Sequence, residues 1–209
     1  MSAAVVSLES LLDARRVWRG RATQADATTQ APEPTGHVQL DQALPAGGWP
    51  AAALSEILLP APGSGELHLL WPTLARLTTQ ARRVVLVAPP FIPYPQAWEA
   101  AGVDLRWLTL VRAEGSEALW AAEQCLRSGS CAAVVCWPAS ADDRALRRLQ
   151  VAAEAGQALG YVIRDSQAAV NPSPAALRIA ISLQPSGWRV LKCRGGLPPA
   201  RPINWTAYA

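Results

Sequence analysis

From Leu54 onward the chain alternates short, uniformly apolar runs with longer amphipathic segments, and this alternation limits the folds open to it. The runs are ALSEILLP, RRVVLVAP, LRWLTLVR, CAAVVCWP and LGYVIRD. Between them lie a segment beginning near Gly65, then PQAWEAAG, GSEALWAAEQCLRSG and DDRALRRLQVAAEAG, each patterned as a helix. Apolar runs without polar alternation fit strands buried on both faces, and strands alternating with helices imply a parallel sheet sandwiched by helices through right-handed crossovers. Half of the 209 residues are apolar, enough for one sizeable core. Pro72 falls inside the first of these helices, where it removes a backbone donor and predicts a kink or a split.

The flanks differ in character. After Ser166, SQAAVNPSP reads as a loop, and ALRIAISLQ, GWRVLKC and PINWTAY read as strands extending the sheet antiparallel at one edge. Residues 7 to 21 place Leu8, Leu11, Leu12 and Trp18 near one helical face, with Arg15, Arg16, Arg19 and Arg21 towards the end. Residues 22 to 35, rich in Thr, Gln, Ala and Pro, read as a flexible tether. The organisation expected is therefore an N-terminal helix and linker over 1–35 and an α/β domain over 36–209. No apolar run reaches the roughly 18 to 20 residues of a membrane span, and the N-terminus lacks a basic leader with a long apolar stretch. A cytoplasmic protein without membrane contact is expected.

Several chemistries are short of residues. Four cysteines (Cys125, Cys131, Cys136, Cys193) form no C-x-x-C pair and accompany only two histidines, His37 and His68, too few well-spaced ligands for a zinc site. Reduced core thiols are expected. The turn after the first parallel strand, where nucleotide-binding α/β proteins seat phosphate on a helix N-terminus, reads Pro60-Ala61-Pro62-Gly63-Ser64-Gly65-Glu66-Leu67. Against G-x-x-x-x-G-K-[ST], Gly65 fits, but Pro60 replaces the first glycine, Glu66 the lysine and Leu67 the hydroxyl residue. A carboxylate there repels a triphosphate. The only lysine of the chain is Lys192, so no intact loop lies elsewhere. Neither Val87-Ala88-Pro89 nor Val135-Cys136-Trp137 ends a strand with a carboxylate for magnesium or water. No enzyme activity, cofactor or metal is expected, and Gly63, Ser64 and Gly65 are expected to form a tight turn.

An ordered series of short motifs resembles the RecA recombinase core: Thr35-Gly36-His37-Val38-Gln39-Leu40-Asp41, Ala43-Leu44, Gly47-Gly48-Trp49-Pro50, Ser55-Glu56-Ile57, the altered phosphate loop, Ala101-Gly102-Val103-Asp104-Leu105, Glu117-Ala118-Leu119, Leu126-Arg127-Ser128-Gly129 and Ala133-Val134-Val135. It is more similar still to the ImuA family, RecA-like accessory proteins of bacterial damage-induced mutagenesis that are related to the SulA division inhibitors. The resemblance implies a RecA-like core with a mostly parallel sheet, antiparallel strands at the C-terminal edge and a tethered N-terminal helix. It also implies that Cys136 stands where the magnesium-linked aspartate would be. ImuB, an error-prone DnaE-type polymerase and RecA are the implied partners in translesion synthesis. The alternative it implies is a SulA-like inhibitor of cell division that binds FtsZ.

Contact surfaces are expected at two places. Leu191-Lys192-Cys193-Arg194 resembles the segment that RecA-like recombinases place across the filament interface, so Lys192 and Arg194 are candidates to dock on a recombinase, against the reading of an exposed strand with solvated basic residues. Leu8, Leu11, Leu12 and Trp18 are candidates to pack on a partner or to fold back on the chain's own core, and self-association stays open. The loop Ser166 to Pro174 has no basic or aromatic side chain, so DNA contact is expected to be indirect or weak. The helix from Asp142 to Leu149 has acids first and bases after, a cationic outer face that is usually solvated. Trp107, Trp120 and Trp137 are expected in the core.

Overall fold

The computed structural model describes residues 31–184 and 186–204. Eight strands form one sheet: β1 (Leu54–Leu59), β2 (Val84–Val87), β3 (Leu108–Val111), β4 (Ala133–Cys136), β5 (Leu159–Asp165), β6 (Leu177–Leu183), β7 (Ser186–Cys193) and β8 (Ile203–Asn204). Their spatial order is β3-β2-β4-β5-β1-β6-β7-β8. The five ladders from β3 to β6 are parallel, and those joining β7 to β6 and β8 to β7 are antiparallel. The protein is thus a mixed α/β fold with a mostly parallel sheet flanked by helices. β6 corrects the expected edge: it continues the parallel sheet beside β1, because the connection after β5 crosses over through a 3-10 turn, Ser166–Val170, before β6 begins.

Alternate strand residues face two separate cores, as the two-residue period requires. On one face Ile57, Leu86, Val135, Tyr161 and Ile179 pack with α1 (Val38–Ala43), α2 (Glu66–Thr79) and α3 (Pro95–Ala100). On the other, Leu54, Val85, Val134 and Val162 pack with α4 (Ser116–Arg127) and α5 (Asp143–Gly156). α4 and α5 approach closely at Gly156, where a Cβ would lie 1.8 Å from the Leu126 carbonyl oxygen. α5 starts at Asp142, whose carboxylate accepts from the Ala145 amide at 2.7 Å.

Two expectations change. α2 runs unbroken through Pro72. Proline leaves the His68 carbonyl without its helical donor, and the flank is supported from outside. Gly36, at φ +87, lies so close to Pro72 that a Cβ would meet the ring carbon at 2.3 Å, and His37 Nε2 lies 3.3 Å from the Leu69 carbonyl. Trp120 is 63% exposed on α4 and leaves the core, whereas Trp49, Trp98 and Trp188 are buried in it. The helix expected over residues 7–21, with Leu8, Leu11, Leu12 and Trp18, lies outside the described residues, as does Trp205.

Candidate functional site

The turn from β1 into α2 sits where the sequence placed its altered phosphate loop. Gly63 and Gly65 adopt φ of +82° and +105°, conformations that the missing Cβ makes accessible. Ser64 is buried, its hydroxyl donating to the Ala61 carbonyl. Glu66 opens the helix and folds back: Oε1 accepts from the Gly63 amide at 3.0 Å, and the side chain is almost wholly buried. A carboxylate of the chain itself thus takes a backbone donor of the loop that a phosphate would otherwise address. Leu67, next along, packs partly buried against the core beneath α2. Pro60 is exposed at the end of β1.

Cys136 ends β4 on the α4 side, its Sγ 3.7 Å from the Ala118 carbonyl, and burial followed by the neighbouring Cys125 pushes its thiol up to about 12. It is an inert core thiol. Among the described residues no three His, Cys, Asp or Glu side chains gather as a metal cage, and no helix is long and apolar enough to cross a membrane.

Beside the filled loop lies an apolar surface that the sequence reading did not single out. The connection from β2 to α3 runs Pro89-Pro90-Phe91-Ile92-Pro93-Tyr94-Pro95. Phe91, Ile92 and Tyr94 are 66%, 80% and 65% exposed. Four prolines hold φ along this stretch, so it stands out with little conformational freedom left to lose on binding. It walls an apolar cleft of about 230 Å³ whose floor includes Trp71, Trp98 and Trp137 and whose end is Glu66. Three buried polar atoms around this cleft, Glu66 Oε2, Trp71 Nε1 and Trp137 Nε1, have no hydrogen-bond partner among the described residues. The available signal was a run of large apolar residues punctuated by prolines, which cannot continue a strand or start a helix before Pro95.

The second feature missed is a buried ion triad on the opposite face of the sheet. Glu56 is fully buried in β1 and is paired in register with Arg178 of β6. Its carboxylate oxygens lie 2.5 Å from Arg164 Nη1 and 2.5 Å from Arg178 Nε. Arg178 also donates to the carbonyls of Ala168, Ala169 and Asn171, and Arg164 to that of Ala141. The triad therefore ties three strands to the loop after β5.

The basic candidates have local roles. Lys192 Nζ donates to the Ser173 carbonyl at 2.7 Å. Burial, then the charges of Arg194 and Arg178, hold its ammonium below the usual lysine range. Arg194 approaches Glu154 at 3.9 Å. On α5, Arg147 pairs with Asp143 at 2.7 Å and Arg148 with Glu123 at 3.4 Å, which offsets much of the expected cationic face.

The site thus joins a turn whose Gly63 amide is held by Glu66 to an exposed apolar finger at Phe91, Ile92 and Tyr94. Comparison with known proteins gives the family. The model of the cell division inhibitor SulA family matches residues 53–160, just over half of the chain, and the chain belongs to the SulA family. A cell division inhibitor SulA from Edwardsiella piscicida is 35% identical over 102 residues, which cover 47% of this chain and 60% of that protein. The crystal structure of SulA from Pseudomonas aeruginosa is similar at 33% identity, covering 54% of this chain and 98% of that one with a TM-score of 0.47.

These matches correct the ImuA reading and what followed from it. The translesion role and the partners ImuB, the DnaE-type polymerase and RecA are withdrawn, because the matched family is that of division inhibitors. The short motifs that suggested ImuA belong to elements that related α/β proteins share: Ser55-Glu56-Ile57 is β1 and Ala133-Val134-Val135 is β4. Motifs of that kind report the sheet and do not separate relatives with different partners.

Proposed function

We propose that this protein is a cell division inhibitor that works by binding FtsZ, without nucleotide chemistry of its own. Membership of the SulA family is the observation that carries this reading. The position of Glu66 supports the absence of catalysis, because its carboxylate already occupies the Gly63 amide and meets an incoming triphosphate with like charge. The turn Gly63-Ser64-Gly65 between β1 and α2 supports the finer reading that the sheet is a RecA-like core. Residues 33–209 act as one α/β unit, since Glu33 pairs with Arg76 of α2 and Thr35 is buried, and the tether expected over 22–35 is shortened at that end.

The contact surface is the finger formed by Phe91, Ile92 and Tyr94 with the adjoining cleft. Exposed aromatic and aliphatic side chains on a rigid loop are the residue types and the state of order that concentrate binding energy. Lys192, within β7, and Arg194, just after it, lie on the other side of the sheet order from the β2–α3 connection and remain a second candidate contact.

Purified FtsZ polymerising with GTP tests the reading. Light scattering should fall as the protein approaches equimolarity with FtsZ. Unchanged polymerisation at a severalfold excess, with no complex on a sizing column, removes FtsZ as the partner.

A further inference from the structure

Three carboxylates are buried among the described residues: Glu56, Glu66 and Glu123. Two of them hold two arginines each, Glu56 with Arg164 and Arg178, and Glu123 with Arg127 and Arg148. Glu66 forms no ion pair among the described residues. Its Oε1 accepts from the Gly63 amide at 3.0 Å, and its Oε2 has no hydrogen-bond partner among them. A buried charge is costly unless it is paired and hydrogen-bonded. The chain meets that condition twice from its own arginines and leaves Glu66 to be completed from outside.

The surroundings of Glu66 narrow the chemistry of what completes it. It ends the apolar cleft of about 230 Å³ beside the finger. Trp71 and Trp98 in that cleft stand edge to face, with centroids 6.3 Å apart and an interplanar angle of 84°, and Trp137, Phe91 and Tyr94 line it with them. Aromatic faces attract a cation through their quadrupole, and their apolar surface covers the methylene stem of a long basic side chain. The volume lies below the ~300–1,000 Å³ of small-molecule and cofactor sites and suits a single side chain. A bare cation would leave the indole donors unmatched. Trp71 Nε1 and Trp137 Nε1 also lack partners among the described residues, and an indole N–H can only donate. A polypeptide brings both kinds of group, a basic side chain and carbonyl acceptors.

We propose that this cleft receives one arginine or lysine side chain of the protein partner, its stem against Trp71 and Trp98 and its cationic head at Glu66 Oε2. This rests on the reading of the finger as the contact surface, and it adds what the partner presents there: a protruding basic residue in an apolar surround. The two oxygens of Glu66 then divide the work, Oε1 closing the turn and Oε2 meeting the partner's charge. Because Oε2 is buried, that charge is met where water and salt screen it least.

Peptide probes test this without FtsZ, so a failure of the FtsZ reading leaves the test standing. Acetyl-glycyl-arginyl-glycinamide, its lysyl counterpart and the neutral norleucyl peptide are each titrated into the full chain, and the indole N–H resonances of Trp71, Trp98 and Trp137 are followed by NMR. The cationic peptides should bind about tenfold more tightly than the neutral one, the lower end of what a charge-assisted hydrogen bond contributes. In Glu66→Gln, whose amide oxygen can still accept from Gly63, that advantage should vanish, with a matching thermal melt showing the fold intact. Equal affinity of wild type for cationic and neutral peptides overturns the proposal and needs no variant. So does an unchanged preference in Glu66→Gln, an absence of saturable shifts up to about 20 mM peptide, or shifts confined to tryptophans outside the cleft, such as Trp49 and Trp188.

Discussion

Removing the carboxylate at position 56 is the sharpest test of how this sheet is held. Glu56 is fully buried and holds Arg164 and Arg178 at 2.5 Å each, and the side chain of Arg178 is itself only 8% exposed. In Glu56→Ala the two guanidiniums face each other with no counter-charge. Breaking a buried pair by removing one partner costs about 3–5 kcal/mol, because the remaining charge stays desolvated. Arg178 keeps its carbonyl partners at Ala168, Ala169 and Asn171, which places the loss near the lower end, about 3 kcal/mol. For a domain of this size that lowers Tm by roughly 6–12 °C. Urea denaturation of wild type and variant measures it directly. The triple variant Glu56→Met, Arg164→Met, Arg178→Met should recover most of the loss, since an apolar replacement of the whole cluster leaves nothing unpaired. A loss under about 1 kcal/mol in Glu56→Ala, or a triple variant less stable than the single one, refutes the reasoning.

Three further outcomes follow. Isothermal calorimetry should find no ATP or GTP binding to the wild type, and saturable binding would place an anion where Glu66 now bonds Gly63. Stability should decrease as pH falls through the ordinary histidine range: burial holds both His37 and His68 below their usual value, so the unfolded chain takes up protons first. In His37→Asn the slope of stability against pH between about 7 and 5 should flatten, and an unchanged slope would exclude His37 as a source. Gly156→Ala should cost about 2–4 kcal/mol in denaturation, because its Cβ meets the Leu126 carbonyl, whereas Gly63→Ala has open space and suffers only the strain of a positive φ.

The alternation of apolar runs and amphipathic segments was enough to place the five strands β1 to β5 and the four helices between Glu66 and Gly156 close to their positions. That legibility has a physical source, since a strand buried on both faces must be apolar throughout. Where β6 pairs was not legible, because strand direction depends on the path of the preceding loop and not on the composition of the strand. Trp120 misled for a related reason: an amphipathic helix tolerates a tryptophan on its outer face, and only the packing of α4 on α5 shows which face that is. Glu66 was legible as a carboxylate where the phosphate-loop pattern has its lysine, but its bond to the Gly63 amide required the turn geometry.

Charges inside apolar runs were the signal passed over. Glu56 in SEILL, Arg164 in YVIRD and Arg178 in ALRIAI each interrupt a strand, and a buried charge requires a partner. Three such interruptions of opposing sign announce a cluster, although not its register. The apolar finger was overlooked because large side chains in a loop carry no periodicity. The ImuA resemblance failed at a different level, since motifs in strands and turns report a shared sheet, whereas partner choice is generally carried by surface loops.

The most direct measurement is a titration of FtsZ polymerisation by the wild-type protein beside a Phe91→Ser, Ile92→Ser, Tyr94→Ser variant, with both folded by thermal melt. Inhibition by the wild type and a loss of at least about tenfold in apparent affinity in the variant is the predicted result, in line with the removal of exposed anchor residues. Equal inhibition by both keeps FtsZ as the target but moves the contact away from the finger, and no inhibition by the wild type contradicts the account of this protein as a division inhibitor that acts on FtsZ.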